Sequence, residues 1–142
     1  MKPQTGAFLD KARELLQQAD AVIGIRLNEA AARTAYLSAM HAAQALIFEN
    51  TNRVVSSHKS VQSEFWHLTK DEPRIDDLLR AFLSRAYSFK RIADYETGPA
   101  SHISAETASS ALATARRFVD CVAALIPPND DTPNTSDTPN PA

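Results

Sequence analysis

Apolar residues along this chain recur at three- and four-residue spacing and almost never alternate, which is the period of helices rather than strands. Phe8, Ala12, Leu15, Leu16, Ala19, Val22 and Ile23 make one stripe, predicting a helix over about residues 6–24 that Gly24 closes, with Asn28 placed to cap the next. A second helix is expected over about 29–49, where Ala32, Ala35, Tyr36, Ala39, Ala43, Leu46 and Ile47 share a face and small side chains admit a close neighbour. Glu49 to Arg53 reads as a loop, after which Ser56 or Ser57 can cap a shorter helix over about 58–68. Asp71-Glu72-Pro73 introduces a fourth helix carrying Ile75, Leu79, Phe82, Ala86, Phe89 and Ala93 on one side, with Pro73 in its first turn and Gly98-Pro99 at its end. Ser104 caps a fifth, striped by Ala108, Ala111, Leu112, Ala115, Phe118, Val119 and Val122 until Pro127-Pro128. The expected fold is all-α, an antiparallel bundle of about five helices over residues 1–126.

Composition changes that picture only at the end of the chain. Residues 127–142 hold five of the eight prolines and repeat Asp-Thr-Pro-Asn at 131–134 and 137–140, a composition that cannot bury enough apolar surface to offset ordering, so a disordered tail is expected there. The tail's Asp130, Asp131 and Asp137 account for the net charge of −2 and leave 15 basic against 14 acidic side chains before it, too even a balance for a broad nucleic-acid-binding surface. Any RNA contact is therefore local. A lone cysteine, Cys121, no apolar run after Met1 to Gly6 and no stretch of membrane-spanning length make a soluble, cytoplasmic protein the expectation. No Cys/His cluster with metal-ligand spacing, no glycine-rich phosphate loop and no G-x-S-x-G elbow occur, so neither a metal nor a cofactor is expected.

Two segments run against local preference, which is where function is best sought. Near the end of the fourth helix, Lys90-Arg91-Ile92-Ala93-Asp94-Tyr95-Glu96 sets acids where the helix dipole is already negative. Arg91 and Asp94 lie three apart and could pair, in the weaker order; the plain alternative is a self-contained surface pair beside an amphipathic tyrosine. At the start of the third helix, Ser57-His58-Lys59 adds two groups able to carry positive charge to a positive dipole end, an arrangement that suits a phosphate or carboxylate. A third candidate, His41, shares a face of the second helix with Arg33 and Leu37; a hydrogen-bonded core histidine is the competing reading.

The same segments carry a resemblance to a known family. Ala35-Tyr36-Leu37-Ser38-Ala39-Met40-His41-Ala42-Ala43-Gln44-Ala45-Leu46 is similar to the pattern A-Y-Y-A-M-F-H-A-A-x-A-L, Ser57-His58-Lys59-Ser60-Val61 to S-H-K-G-V, and Arg91-Ile92-Ala93-Asp94-Tyr95 to R-x-x-A-D-Y. In that order the three resemble the HEPN family, and in particular its small stand-alone proteins encoded beside minimal nucleotidyltransferases. The resemblance implies a homodimeric helical bundle, a nucleotidyltransferase-type partner in a toxin–antitoxin-like pair, and RNA or a nucleotide as ligand. Many HEPN proteins are metal-independent RNases that use R-x(4–6)-H, His moving a proton while Arg holds phosphate charge. Arg91 matches that arginine, but Glu96-Thr97-Gly98 stands where the histidine belongs. A literal Arg53-x4-His58 also occurs, yet ten arginines and four histidines supply roughly 0.8 such matches by chance.

Two functions from different classes follow. The favoured one is a binding module that docks a nucleotidyltransferase or presents a substrate to it; the alternative is a metal-independent RNA endonuclease using Arg91 with an atypical acid/base among Asp94, Tyr95 and His41. Tyr36, His58 and Lys59 are the expected ligand- or anion-binding residues, and Tyr95 is a candidate acceptor, because a tyrosine near this site is modified by the nucleotidyltransferase in some family systems.

Overall fold

A computed structural model describes residues 1–128, and these form six α-helices and one short 3-10 turn. The helices are α1 (Pro3–Gly24), α2 (Asn28–Thr51), α3 (His58–Thr69), α4 (Asp77–Arg80), α5 (Phe82–Tyr95) and α6 (Ala105–Leu125), with the 3-10 turn at Gly98–Ser101. The tail expected to be disordered lies, from residue 129 on, outside the described residues. No described helix is long and apolar enough to cross a membrane.

The bundle is organised around α2, which packs against α1, α6, α5 and α3. Its alanines explain how one helix serves four neighbours: Ala31, Ala32, Ala35, Ala39, Ala42, Ala43 and Ala45 are all completely buried, so their short side chains let backbones approach closely. Larger residues fill the spaces between helices, with Phe65 of α3 and Phe82 of α5 meeting the buried Phe118 of α6 at ring separations of 5.1 and 6.0 Å. The start of α1 is fastened to the end of α2 by Glu49, whose carboxylate accepts from the Thr5 hydroxyl and the Lys2 backbone amide.

The helix starts follow side-chain caps in three places, as Ser57 accepts from the Ser60 amide, Asp76 from Leu79 and Ser104 from Thr107. Asn28 is not a cap. It is the first residue of α2, the preceding Leu27 supplies no side-chain bond, and Glu29 in that first turn instead accepts the Ile103 amide at 2.7 Å, tying the start of α2 to the approach of α6.

The expected fourth helix is also not continuous from Pro73. Glu72 turns back on Arg74, accepting from its backbone amide and its guanidinium at 3.0 Å, so the chain around Pro73 forms a turn. The helix restarts only where Asp76 provides a cap, and Ala81 separates the single turn of α4 from α5. Arg80 braces this corner by donating to the carbonyls of Thr69 and Ile75.

Candidate functional site

The side of α2 that faces the start of α3 and the middle of α5 bears an open cleft of about 410 Å³, lined by Tyr36, Leu37, Met40, His41 and Gln44 from α2, Ser56 and His58 from the entry to α3, and Tyr87 and Lys90 from α5. Helical spacing on α2 explains its share of the lining, since residues 36, 37, 40, 41 and 44 fall on one face. Three expected site residues, Tyr36, His41 and His58, are thus brought together although 22 positions separate the first from the last.

Tyr36 is buried, and its Oη lies 2.6 Å from His58 Nδ1. Burial holds the Tyr36 hydroxyl protonated, pushing its pKa up to about 12, and burial also lowers the pKa of His58. A neutral imidazole nitrogen is a far better acceptor than the Met40 thioether 3.6 Å from the same hydroxyl, so we assign Tyr36 as donor to His58 Nδ1, leaving the proton of His58 on Nε2. Tyr87 stacks on the His58 ring at 3.9 Å and meets Tyr36 edge-on. The positive start of α3 is thereby furnished with a neutral, aromatic-clamped histidine, where the sequence suggested a free cation.

Gln44 and His41 form the inner wall. The Gln44 amide nitrogen donates to the Val55 carbonyl at 2.8 Å, which fixes the orientation of the amide and commits its oxygen to the other side. That oxygen and His41 Nδ1 are both closed to solvent, and Gln44 acts on His41 as a hydrogen-bonding neighbour that opposes the lowering of its pKa. Burial lowers the His41 pKa, so this ring too is neutral near pH 7.

Lys90, at the rim, links the cleft to the second cluster of expected residues. Asp94 accepts from Lys90 Nζ at 2.9 Å and from Arg33 Nε of α2 at 2.7 Å, and these bonds keep its pKa below the usual carboxylate value. The pairing anticipated between Arg91 and Asp94 does not form, because the carboxylate points inward to α2 while Arg91 points outward. Arg91 and Tyr95 are exposed, Tyr95 at 73%, and neither lines the cleft. Lys59 is turned away as well, toward a neighbouring groove with Trp66 and Arg80. Tyr87, unlike the exposed Tyr95, is part of the cleft.

Gln44, Tyr87 and Lys90 are the site residues that sequence reasoning did not select. Gln44 carried a signal, as a polar residue within an alanine-rich buried face; Lys90 carried another, four positions before Asp94.

Three comparisons with known proteins bear on this arrangement. Residues 5–125 match the HEPN domain. No curated protein sequence matches the chain significantly. Among solved structures, the fold is similar to the crystal structure of TT1696 from Thermus thermophilus, with a TM-score of 0.72 and 20% identity over 87% of this chain and 98% of that one, a likeness that shows the fold alone. With the domain match spanning nearly all of the helical bundle, this chain belongs to the HEPN family.

Proposed function

We propose that this HEPN domain is a binding module that docks a nucleotidyltransferase, as the HEPN half of a toxin–antitoxin-like pair, and that the end of α5 is the docking surface. The observation that carries the reading is the division of labour within Arg91-Ile92-Ala93-Asp94-Tyr95. Asp94 is engaged by Arg33 and Lys90, whereas Arg91 and Tyr95 stand exposed with no ion-pair or hydrogen-bond partner among the described residues, apart from the Lys90 ammonium 5.5 Å above the Tyr95 ring. Arginine and tyrosine are the side chains that most often anchor protein interfaces, and the fold does not use these two. Tyr95 presents its hydroxyl there as an acceptor for a group transferred by such a partner. A homodimer is the assembly this reading expects.

The test is co-purification from cells making this protein together with the nucleotidyltransferase encoded beside it, with light scattering on the protein alone. A stable complex, lost in Arg91→Ala and Tyr95→Ala proteins that keep their helical signal, supports the reading. An Arg91→Ala, Tyr95→Ala double variant that folds and retains the complex overturns it, and a monomer at tens of micromolar overturns the dimer.

A further inference from the structure

The face of α3 turned away from the core carries Lys59, Ser63 and Trp66 at helical spacing, with Lys70 just past its end, and so sets one large aromatic between two cations. Trp66 is 50% exposed, with the Lys70 ammonium 5.6 Å from its ring centre and the His67 ring edge-on at 5.5 Å. Beside it, α3 and the corner between α4 and α5 bound two open hollows of about 460 and 350 Å³. The first reaches Lys59 and Ser84, the second Lys70 and Asp77, and Trp66, Arg80 and Ala81 line both. The two therefore make one trough with Trp66 at its middle and a lysine at each end. We propose that this trough docks an extended acidic segment of a partner protein, which rests an apolar residue on Trp66 and brings a carboxylate to each lysine.

Charge and shape decide which occupant fits. Asp77 is the acid of the lining, and Arg80 takes it at 2.6 Å while also bonding the carbonyls of Thr69 and Ile75, so this pair adds no net charge. Lys59 and Lys70 have no ion-pair partner among the described residues, which leaves the trough positive on a chain whose net charge is −2. Tryptophan is among the side chains that most often anchor protein interfaces, and here the core does not use it. Eleven positions of helical rise separate the two lysines by roughly 16 Å, a span that about five residues of extended chain cover. Each hollow holds about the volume of a single helical turn, so an extended chain enters where a helix would rest on the rim. A neutral apolar segment would leave both ammonium groups without a counter-charge. A nucleic-acid strand carries a charge at every nucleotide and is tracked by closely spaced cations, whereas two cations so far apart match two separate carboxylates. This surface is independent of the one at Arg91 and Tyr95, since neither residue lines the trough.

Trp66 is the only tryptophan of the chain, so its fluorescence reports on the trough alone. The full-length protein is titrated with the peptide acetyl-Glu-Pro-Leu-Ala-Pro-Glu-amide, with the same peptide carrying Gln for Glu, and with a single-stranded oligoribonucleotide of mixed sequence. The acidic peptide is expected to shift the Trp66 emission to the blue with saturation, roughly tenfold more tightly than the neutral one, and to lose affinity in high salt. Lys59→Glu and Lys70→Glu together, at exposed positions, should weaken binding roughly tenfold or more, and so should Trp66→Ala, followed by the anisotropy of a labelled peptide. No saturable shift at several millimolar peptide, equal binding of the neutral peptide, or binding that survives the double charge reversal in a folded protein overturns the proposal. Three other results overturn it by naming a different occupant. Tighter binding of the oligoribonucleotide assigns the trough to nucleic acid, and a blue shift that grows with protein concentration alone assigns it to a second copy. Peptide binding that appears only after Asp130, Asp131 and Asp137 are replaced by Asn assigns it to the chain's own end.

Discussion

Asp94 decides whether the Arg91–Tyr95 segment is held by structure or by function, and its removal has a calculable cost. In Asp94→Ala the bonds to Arg33 and Lys90 are lost together. The Arg33 pair joins two helices at 2.7 Å with the arginine side chain 38% exposed, so solvent screening limits it to about 1 kcal/mol. The Lys90 pair is an i,i+4 contact in the less favourable order and adds about 0.3 kcal/mol. Relief of an acid from a negative helix end returns about 0.3 kcal/mol, so the net loss is about 1 kcal/mol. For a chain of this size that lowers Tm by roughly 3 to 5 °C.

The pH dependence tests the cause. The folded pKa of Asp94 is lowered, first by the Lys90 hydrogen bond and then by Arg33, so its contribution is fully present above the unfolded value near 3.9 and is lost as pH falls through the folded one. The gap in Tm between the wild type and Asp94→Ala, read by circular dichroism, should stay constant from pH 8 to about pH 5, narrow only below about pH 4, and shrink in high salt. Arg91→Ala in parallel should move Tm by no more than a surface substitution does. Equal melting of wild type and Asp94→Ala at pH 7, or a gap that closes between pH 7 and 5, would refute the clamp.

Other consequences follow from the cleft and the chain end. Tyr36→Phe leaves His58 Nδ1 without its donor and should cost about 1 kcal/mol in chemical denaturation; since that hydroxyl favours the neutral ring, NMR titration should show the His58 pKa rise, and a fall would mean that His58 is the donor. His41 and His58 both have lowered pKa values in the fold, so stability should be level above about pH 7 and decline as pH falls through the unfolded histidine value near 6.5; a wild type that melts identically at pH 7.5 and 5.5 would contradict their burial as neutral rings. Ending the chain after Pro127 should leave Tm and oligomeric state unchanged, on composition alone, and a clear loss of either would show that the missing residues contribute.

What could be read from the sequence was what depends on near neighbours. The stripes of α1, α2 and α6 and the caps at Ser57 and Ser104 need only a few adjacent residues, and they lie close to where spacing placed them. The corner between α3 and α5 did not yield to that reasoning, because Asp76 competes with Pro73 to start the helix and Arg80 bonds carbonyls as far back as Thr69. Side-chain direction was less legible still. Nothing within the segment shows that Asp94 turns to Arg33, sixty-one positions away, or that His58 lies against Tyr87 rather than in solvent. Motif resemblance pointed to segments without saying which residue in each faces inward.

That inward–outward assignment bears most directly on the endonuclease alternative. Arg91-assisted RNA cleavage needs a proton carrier near Arg91 with a pKa close to neutral, and Asp94 is held ionised by two cations well below that range. His41 is suitably neutral, but it sits on the inner wall of the cleft, which Arg91 does not line, and its neighbours are Phe8 and the Lys11 charge, which lowers its pKa further. Tyr36 and His58 are a hydrogen-bonded pair, yet the pKa of Tyr36 near 12 makes the hydroxyl a poor proton donor at pH 7. Arg91 thus stands apart from the two histidines, and the cation beside them at the cleft rim is Lys90, which is paired with Asp94. Arg91 and Tyr95, exposed at the end of α5 and outside the cleft, fit the docking surface proposed above, and the endonuclease alternative would need a further group to carry a proton beside Arg91.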